Sequence, residues 1–202
     1  VMIYRWWEEW QKEREDLAKN ITAQASAVPV LTGENTFIAS DAQLSGNIII
    51  GNNCMIGTGV ILRGDVIIQD NVRLGYGVEV KDSIIRANVT VGPLCYLGDS
   101  LVEAGVYMGA LVRTSNHRLD RGIIKSWNGQ FYEATGCEKL GAHIKENTSL
   151  GVGVVILPGR IIPANSSFEP HIVIKSNYPP GHYKLEQTIT RKVAAKNDET
   201  PI

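Results

Sequence analysis

Cysteine is scarce. The 202 residues hold three, Cys54, Cys95 and Cys137, with no pairing pattern, which excludes a disulfide framework and fits reduced thiols in a cytoplasmic protein. No Cys/His grouping has zinc spacing, so no metal is expected. Phenylalanine is also rare, at three residues. No apolar run approaches the roughly 18–20 residues that span a bilayer, and Val1 to Trp10 mix charges with aromatics, unlike a signal peptide. Neither charge sign dominates. Twenty Lys and Arg against 21 Asp and Glu leave −1, which argues against a nucleic-acid-binding module. The remainder, 44% apolar and 20% charged, suits one soluble domain with appendages.

Glycine is abundant, at 20 residues, and it accompanies many Ile and Val. A step of six from Ile38 reads Ile38, Leu44, Ile50, Ile56, Leu62, Ile68, Leu74 and Val80. A second series reads Ala42, Ile48, Cys54, Val60, Val66, Val72, Val78 and Ile84. The register then slips by one residue twice, between Val80 and Ile85 and between Leu97 and Val102, while the second series continues through Val89, Cys95, Leu101, Val106 and Val112. The pattern lapses and resumes as Ile144, Leu150, Ile156, Ile162, Phe168 and Ile174. A period of six suits neither a helix nor a lone strand. It predicts a three-sided coil of about 18 residues per turn, stacked into parallel sheets around an aliphatic column. Gly51, Gly57 and Gly75, following the first series, are expected at corners needing unusual φ. Cys54 and Cys95 are read as packing residues.

The predicted divisions are an N-terminal helix and linker over 1–37, a β-helix over 38–176, and a tail over 177–202. The helix is expected over residues 2–19, with Ile3, Trp6, Trp7, Trp10 and Leu17 on one face. It would cap the open end of the column or pack on a neighbouring subunit; its acidic face argues against a membrane surface. Residues 113–139 interrupt the repeat. A long loop in a compact fold is a place to look for function, which brings forward Asn116, His117, Arg118 and Asp120.

Hexads of this kind resemble the hexapeptide-repeat acyltransferases, which implies an all-β fold, a left-handed parallel β-helix. The left hand is taken from that resemblance alone. The stretch from Val78 to Asp99, with Tyr96-Leu-Gly-Asp99, and the run Asn116-His-Arg-Leu-Asp120 are similar to the acetyltransferase half of the bifunctional enzymes that make UDP-N-acetylglucosamine. The resemblance implies a CoA-dependent acyl transfer, of the N-acetyl kind, to a sugar phosphate or nucleotide-sugar-related acceptor, with acetyl-CoA as co-substrate and a homotrimer with sites shared between subunits. It implies that Arg63 and Lys81 hold phosphate, that Tyr96 and Asn116 contact the sugar, and that CoA lies near Gly151 and Gly153. Two departures stand out. Tyr107 replaces an Asn, and Pro93 replaces the family's catalytic His. His117 is then the first candidate base and His143 the second. The alternative is a non-catalytic trimeric sugar-phosphate-binding or scaffold domain. Three histidine ligands for a carbonic-anhydrase-like site have no evident spacing here. The nucleotidylyltransferase half has no counterpart in this sequence.

Overall fold

The computed structural model describes residues 3–23 and 30–190. Parts of the expected linker (24–29) and tail (191–202) lie outside the described residues. The chain winds into a parallel three-faced column: sheets of seven, eight and seven strands in which every strand pairs with the one a full turn away. Register partners are 18 apart at first, as in Val30↔Ile48 and Ile48↔Val66. They close to 17 at the two slips, Ile67↔Ile84 and Ile84↔Leu101. Strands of two or three residues suffice because all but the end strands are hydrogen-bonded on both sides, and the inward side chains meet in one aliphatic core from Ile48 to Ile174. The column is wider than the predicted 38–176: it starts at Val30–Thr32 and ends at His182–Tyr183.

Two details of the repeat differ from expectation. Gly51, Gly57 and Gly75 are not at left-handed φ; that conformation falls at one corner on Asn35, Asn53, Asn71, Asn88, Asn147 and Asn165, whose short polar side chain tolerates it. The glycines are needed for close approach instead. A Cβ on Gly57 would sit 2.8 Å from the Leu74 carbonyl of the next coil. Ile84 and Leu101, read as interior, face outward from the first sheet. The inward places beside them go to Ser83 and Ser100, both fully buried, whose hydroxyls link successive coils at that corner.

The outward apolar ladder explains the helix, α1 (Trp6–Ala23). It neither caps the column nor waits for a neighbour. Trp6, Trp7 and Trp10 lie on the outside of the first sheet of their own chain, over Ile84, Leu101, Ile124 and Leu140. Trp10 Nε1 donates to the Asp82 carbonyl at 2.9 Å. The insertion folds back on the same side as an antiparallel hairpin, Lys125–Trp127 with Tyr132–Ala134. Ser126 Oγ accepts from Trp6 Nε1 at 2.9 Å and donates to the Gly159 carbonyl at 2.8 Å, and Glu133 pairs with Arg5 at 2.8 Å.

Candidate functional site

The two register slips build a densely polar corner of the column. Where the first coils turn from the third sheet to the first through Gly64 and Asp65, the next two turn through a single residue each, Asp82 and then Asp99. Both take left-handed φ, at 45° and 51°. Gly64 leaves room for the Asp82 carboxylate, which fills the space a Cβ would take. The strands leading in carry alternate residues outward, so Arg63 and Lys81 stand side by side as register partners.

These side chains form one connected network. Lys81 Nζ lies 2.5 Å from Asp82 and 3.3 Å from Asp99. Asn116 Nδ2 donates to Asp99 at 2.5 Å and to the Tyr96 hydroxyl at 3.3 Å. Arg63 is engaged by Glu79 at 2.6 Å. From α1, Arg14 reaches Asp82 at 2.9 Å and Asp65 at 3.3 Å. Burial opposes the charge on Lys81, but the two aspartates outweigh it and hold its pKa above the ordinary value. Burial likewise opposes ionisation of Asp82, yet Lys81, the Asp65 N–H and Arg14 bring its pKa below the usual range. The Tyr96 hydroxyl is raised by burial and by the Asp99 and Glu79 charges. Three cations thus meet four carboxylates, a net −1. A phosphate placed on Arg63 or Lys81 would have to compete with carboxylates already there.

The corner therefore brings together Arg63, Lys81, Tyr96 and Asn116, and leaves other sequence candidates elsewhere. His117 follows Asn116 but lines a separate depression with Arg118, Leu157 and Pro158. His143 is 2% exposed on the first sheet. Its ring lies 5.6 Å from that of Trp6 and 5.9 Å from that of Tyr4, and its Nε2 is 2.9 Å from Glu103. Tyr4 and Trp6 thus cover it from outside the sheet. Gly151 and Gly153 turn a different corner, against Pro170 and His171. Pro93 is exposed, and Tyr107 is exposed on the second sheet. Burial raises the Cys95 thiol to about 11, consistent with packing rather than nucleophilic chemistry. Among the described residues no group of three or more His, Cys, Asp or Glu could hold a metal ion, and no helix is long and apolar enough to cross a membrane. Asp82 and Asp99 were not singled out as site residues from sequence, although the slips at 80–85 and 97–102 mark their positions.

The His143–Glu103 contact has a pH signature. The hydrogen bond from His143 outweighs burial and, with Arg86, holds the Glu103 carboxyl below its ordinary value. A depressed carboxyl stabilises the fold above the unfolded value, about 4.3, and that contribution is lost as pH falls through the folded value. The thermal midpoint should hold from pH 7 to about 5 and drop below about 4. Glu103→Gln should flatten that acid limb; an unaltered limb would assign it to other carboxylates.

The bacterial transferase hexapeptide (six repeats) family matches residues 29–64 and 50–82. The uncharacterized acetyltransferase YaiX of Escherichia coli strain 536 is 40% identical over 181 residues, covering 90% of this chain and 79% of that protein. The YaiX of strain K12 is 41% identical over 175 residues, covering 87% and 76%. The chain belongs to the hexapeptide-repeat acetyltransferases. Among solved structures it resembles a variant of the N-acyltransferase AntD from Bacillus cereus, in complex with dTDP and coenzyme A, at 18% identity and TM-score 0.43, covering 90% of this chain and 89% of that one. It also resembles the UDP-N-acetylglucosamine acyltransferase of Francisella novicida, at 13% identity and TM-score 0.40, covering 74% and 65%.

Proposed function

We propose that this acetyltransferase moves an acyl group from CoA to an amine on a small polyhydroxylated acceptor such as an amino sugar, at the Asp99 corner. The observation that carries the acceptor assignment is the net −1 corner, where Asp99, held by Lys81 and Asn116 beside the Tyr96 hydroxyl, joins Asp65, Glu79 and Asp82 against Arg14, Arg63 and Lys81. Its carboxylates suit an ammonium; its hydroxyl and amide suit sugar hydroxyls. Acetyl-CoA, as co-substrate, would supply the acyl group as a thioester. The bound ammonium first releases one proton to solvent, and the neutral amine then forms the C–N bond as the C–S bond breaks. A nitrogen newly bonded to a carbonyl carbon is acidic enough for the Asp99 carboxylate to take its proton, which leaves on the released thiol. Asn116 and Lys81 hold that carboxylate in place. Pro93 has no part in this scheme, so the missing family His does not decide it.

A panel of amino sugars, with and without phosphate, tests this with acetyl-CoA and a free-thiol assay. Acceptor-dependent thiol release is expected, with phosphate not required for turnover at the amine. Absence of release with every amine would favour the ligand-binding alternative. Turnover confined to phosphorylated acceptors and lost in Arg63→Ala would return the phosphate to this corner.

The trimer expected of such proteins has a candidate seam. At the corner between the second and third sheets, Tyr76, Leu94, Leu111 and Val152 stack along the column as exposed apolar residues. Leu94 and Leu111 are 46% and 40% exposed and sit at φ 59° and 64°. That conformation costs a non-glycine residue about 1–2 kcal/mol, and exposed leucines recover nothing in a lone chain. A second copy of this chain packed along the edge would bury them. Light scattering should give a trimer mass for the native protein and a smaller species for Leu94→Asp/Leu111→Asp; a native monomer ends this assignment.

A further inference from the structure

A second polar cluster, on the other side of the inserted loop, has the opposite charge. Arg118, Lys125, Arg160 and Lys175 surround a cavity of about 200 Å³ floored by Leu157 and Pro158. That is several times the roughly 30 Å³ occupied by one water. Only Arg118 has a carboxylate partner among the described residues, Asp120 at 2.5 Å. Arg160 is held in place without being neutralised. Its Nε donates to the Pro158 carbonyl at 3.1 Å, a second nitrogen lies 3.4 Å from the Lys125 carbonyl, and its guanidinium sits 5.3 Å from the Tyr132 ring centre. Carbonyls and a ring fix the fork and leave its charge available. Lys125 and Lys175 are exposed beside it.

The contrast with the Asp99 corner is informative. There every cation is matched; here three are not. Like charges gathered around a cavity repel one another, and a bound polyanion would relieve that. We propose that this cavity is a binding site for the phosphate or diphosphate end of a substrate, and that it takes over the phosphate role that Arg63 and Lys81 cannot fill while paired. The inference rests on the acyltransferase reading for its place in the reaction, though not for the binding itself. Arg118, Leu157 and Pro158 also line the depression that contains His117, and Asn116 follows on the Asp99 side. An extended substrate with its phosphates on Arg160 and Lys175 would therefore run past His117 toward the acceptor corner.

The phosphate could belong to CoA or to the acceptor. Calorimetry with inorganic pyrophosphate and with CoA, on the native protein and on Arg160→Ala/Lys175→Ala, measures binding without turnover. Binding of pyrophosphate should weaken about tenfold or more in the double variant, and binding of CoA with it if CoA is the source. If CoA is the source, KM for acetyl-CoA rises by a similar factor, while the acetyl thioester of N-acetylcysteamine, which has no phosphate, is used as before. If the acceptor is the source, only the KM of phosphorylated acceptors rises. Loss of pyrophosphate binding together with no thiol release from any acceptor would keep this site and remove the acyltransferase reading. Undiminished binding of pyrophosphate, CoA and phosphorylated acceptors by the double variant overturns the proposal.

Discussion

Asp99→Asn should lower acceptor-dependent thiol release about 10²- to 10⁴-fold, the usual range for loss of a positioned proton acceptor. The substitution is clean for a backbone reason. Position 99 sits at φ 51°, and asparagine, alone with glycine and aspartate, adopts that conformation readily. The fold should survive, because Lys81 keeps Asp82 as a partner at 2.5 Å. Size and geometry are retained; the carboxylate is not. His117→Gln, in the neighbouring depression, should keep more than about a tenth of the turnover. The reverse ranking of the two variants would move proton transfer to the imidazole. A thermal midpoint that collapses in Asp99→Asn would mean that the aspartate mainly holds the corner together.

Trp6→Ala should release α1 from the column while the column stays folded. Trp6 is fully buried, donates to Ser126 and lies tilted over His143 with ring centres 5.6 Å apart. Truncating such a side chain costs about 3–5 kcal/mol. An 18-residue helix with this composition is marginal in water by itself, so α1 should melt once undocked. Stacked coils depend mainly on their neighbours, so the loss should stay local. Circular dichroism at 222 nm and tryptophan fluorescence should report an early transition absent from the native protein, followed by unfolding of the β-column. One cooperative transition at the native midpoint would show that α1 contributes little through Trp6. Arg14 leaves with α1, so undocking should also loosen Asp82 and reduce turnover.

The column was legible residue by residue because its core is one-dimensional. Each inward position repeats the same environment, so Ile50, Ile68 and Ile85 report one rule several times over. Handedness was not, since the period is the same in either hand. The face of Ile84 and Leu101 was misread because an aliphatic residue on a strand does not say which side is covered, and here α1 covers the outside. His143 looked reachable for the same reason. Arg63 and Lys81 stand on neighbouring strands, but their partners Glu79, Asp82 and Asp99 lie 16 to 18 residues away in sequence or just past a corner, where charge counting along the chain does not pair them.

The amino-acid sequence by itself determined the winding, the interior column and the two places where a coil is one residue short, because these depend on periodicity and side-chain volume. Only the tertiary structure decided which charges are spent on each other. Electrostatic pairing is a property of distance, and stacking one coil on the next sets the distances that leave the Asp99 corner net negative and the Arg160 cavity net positive.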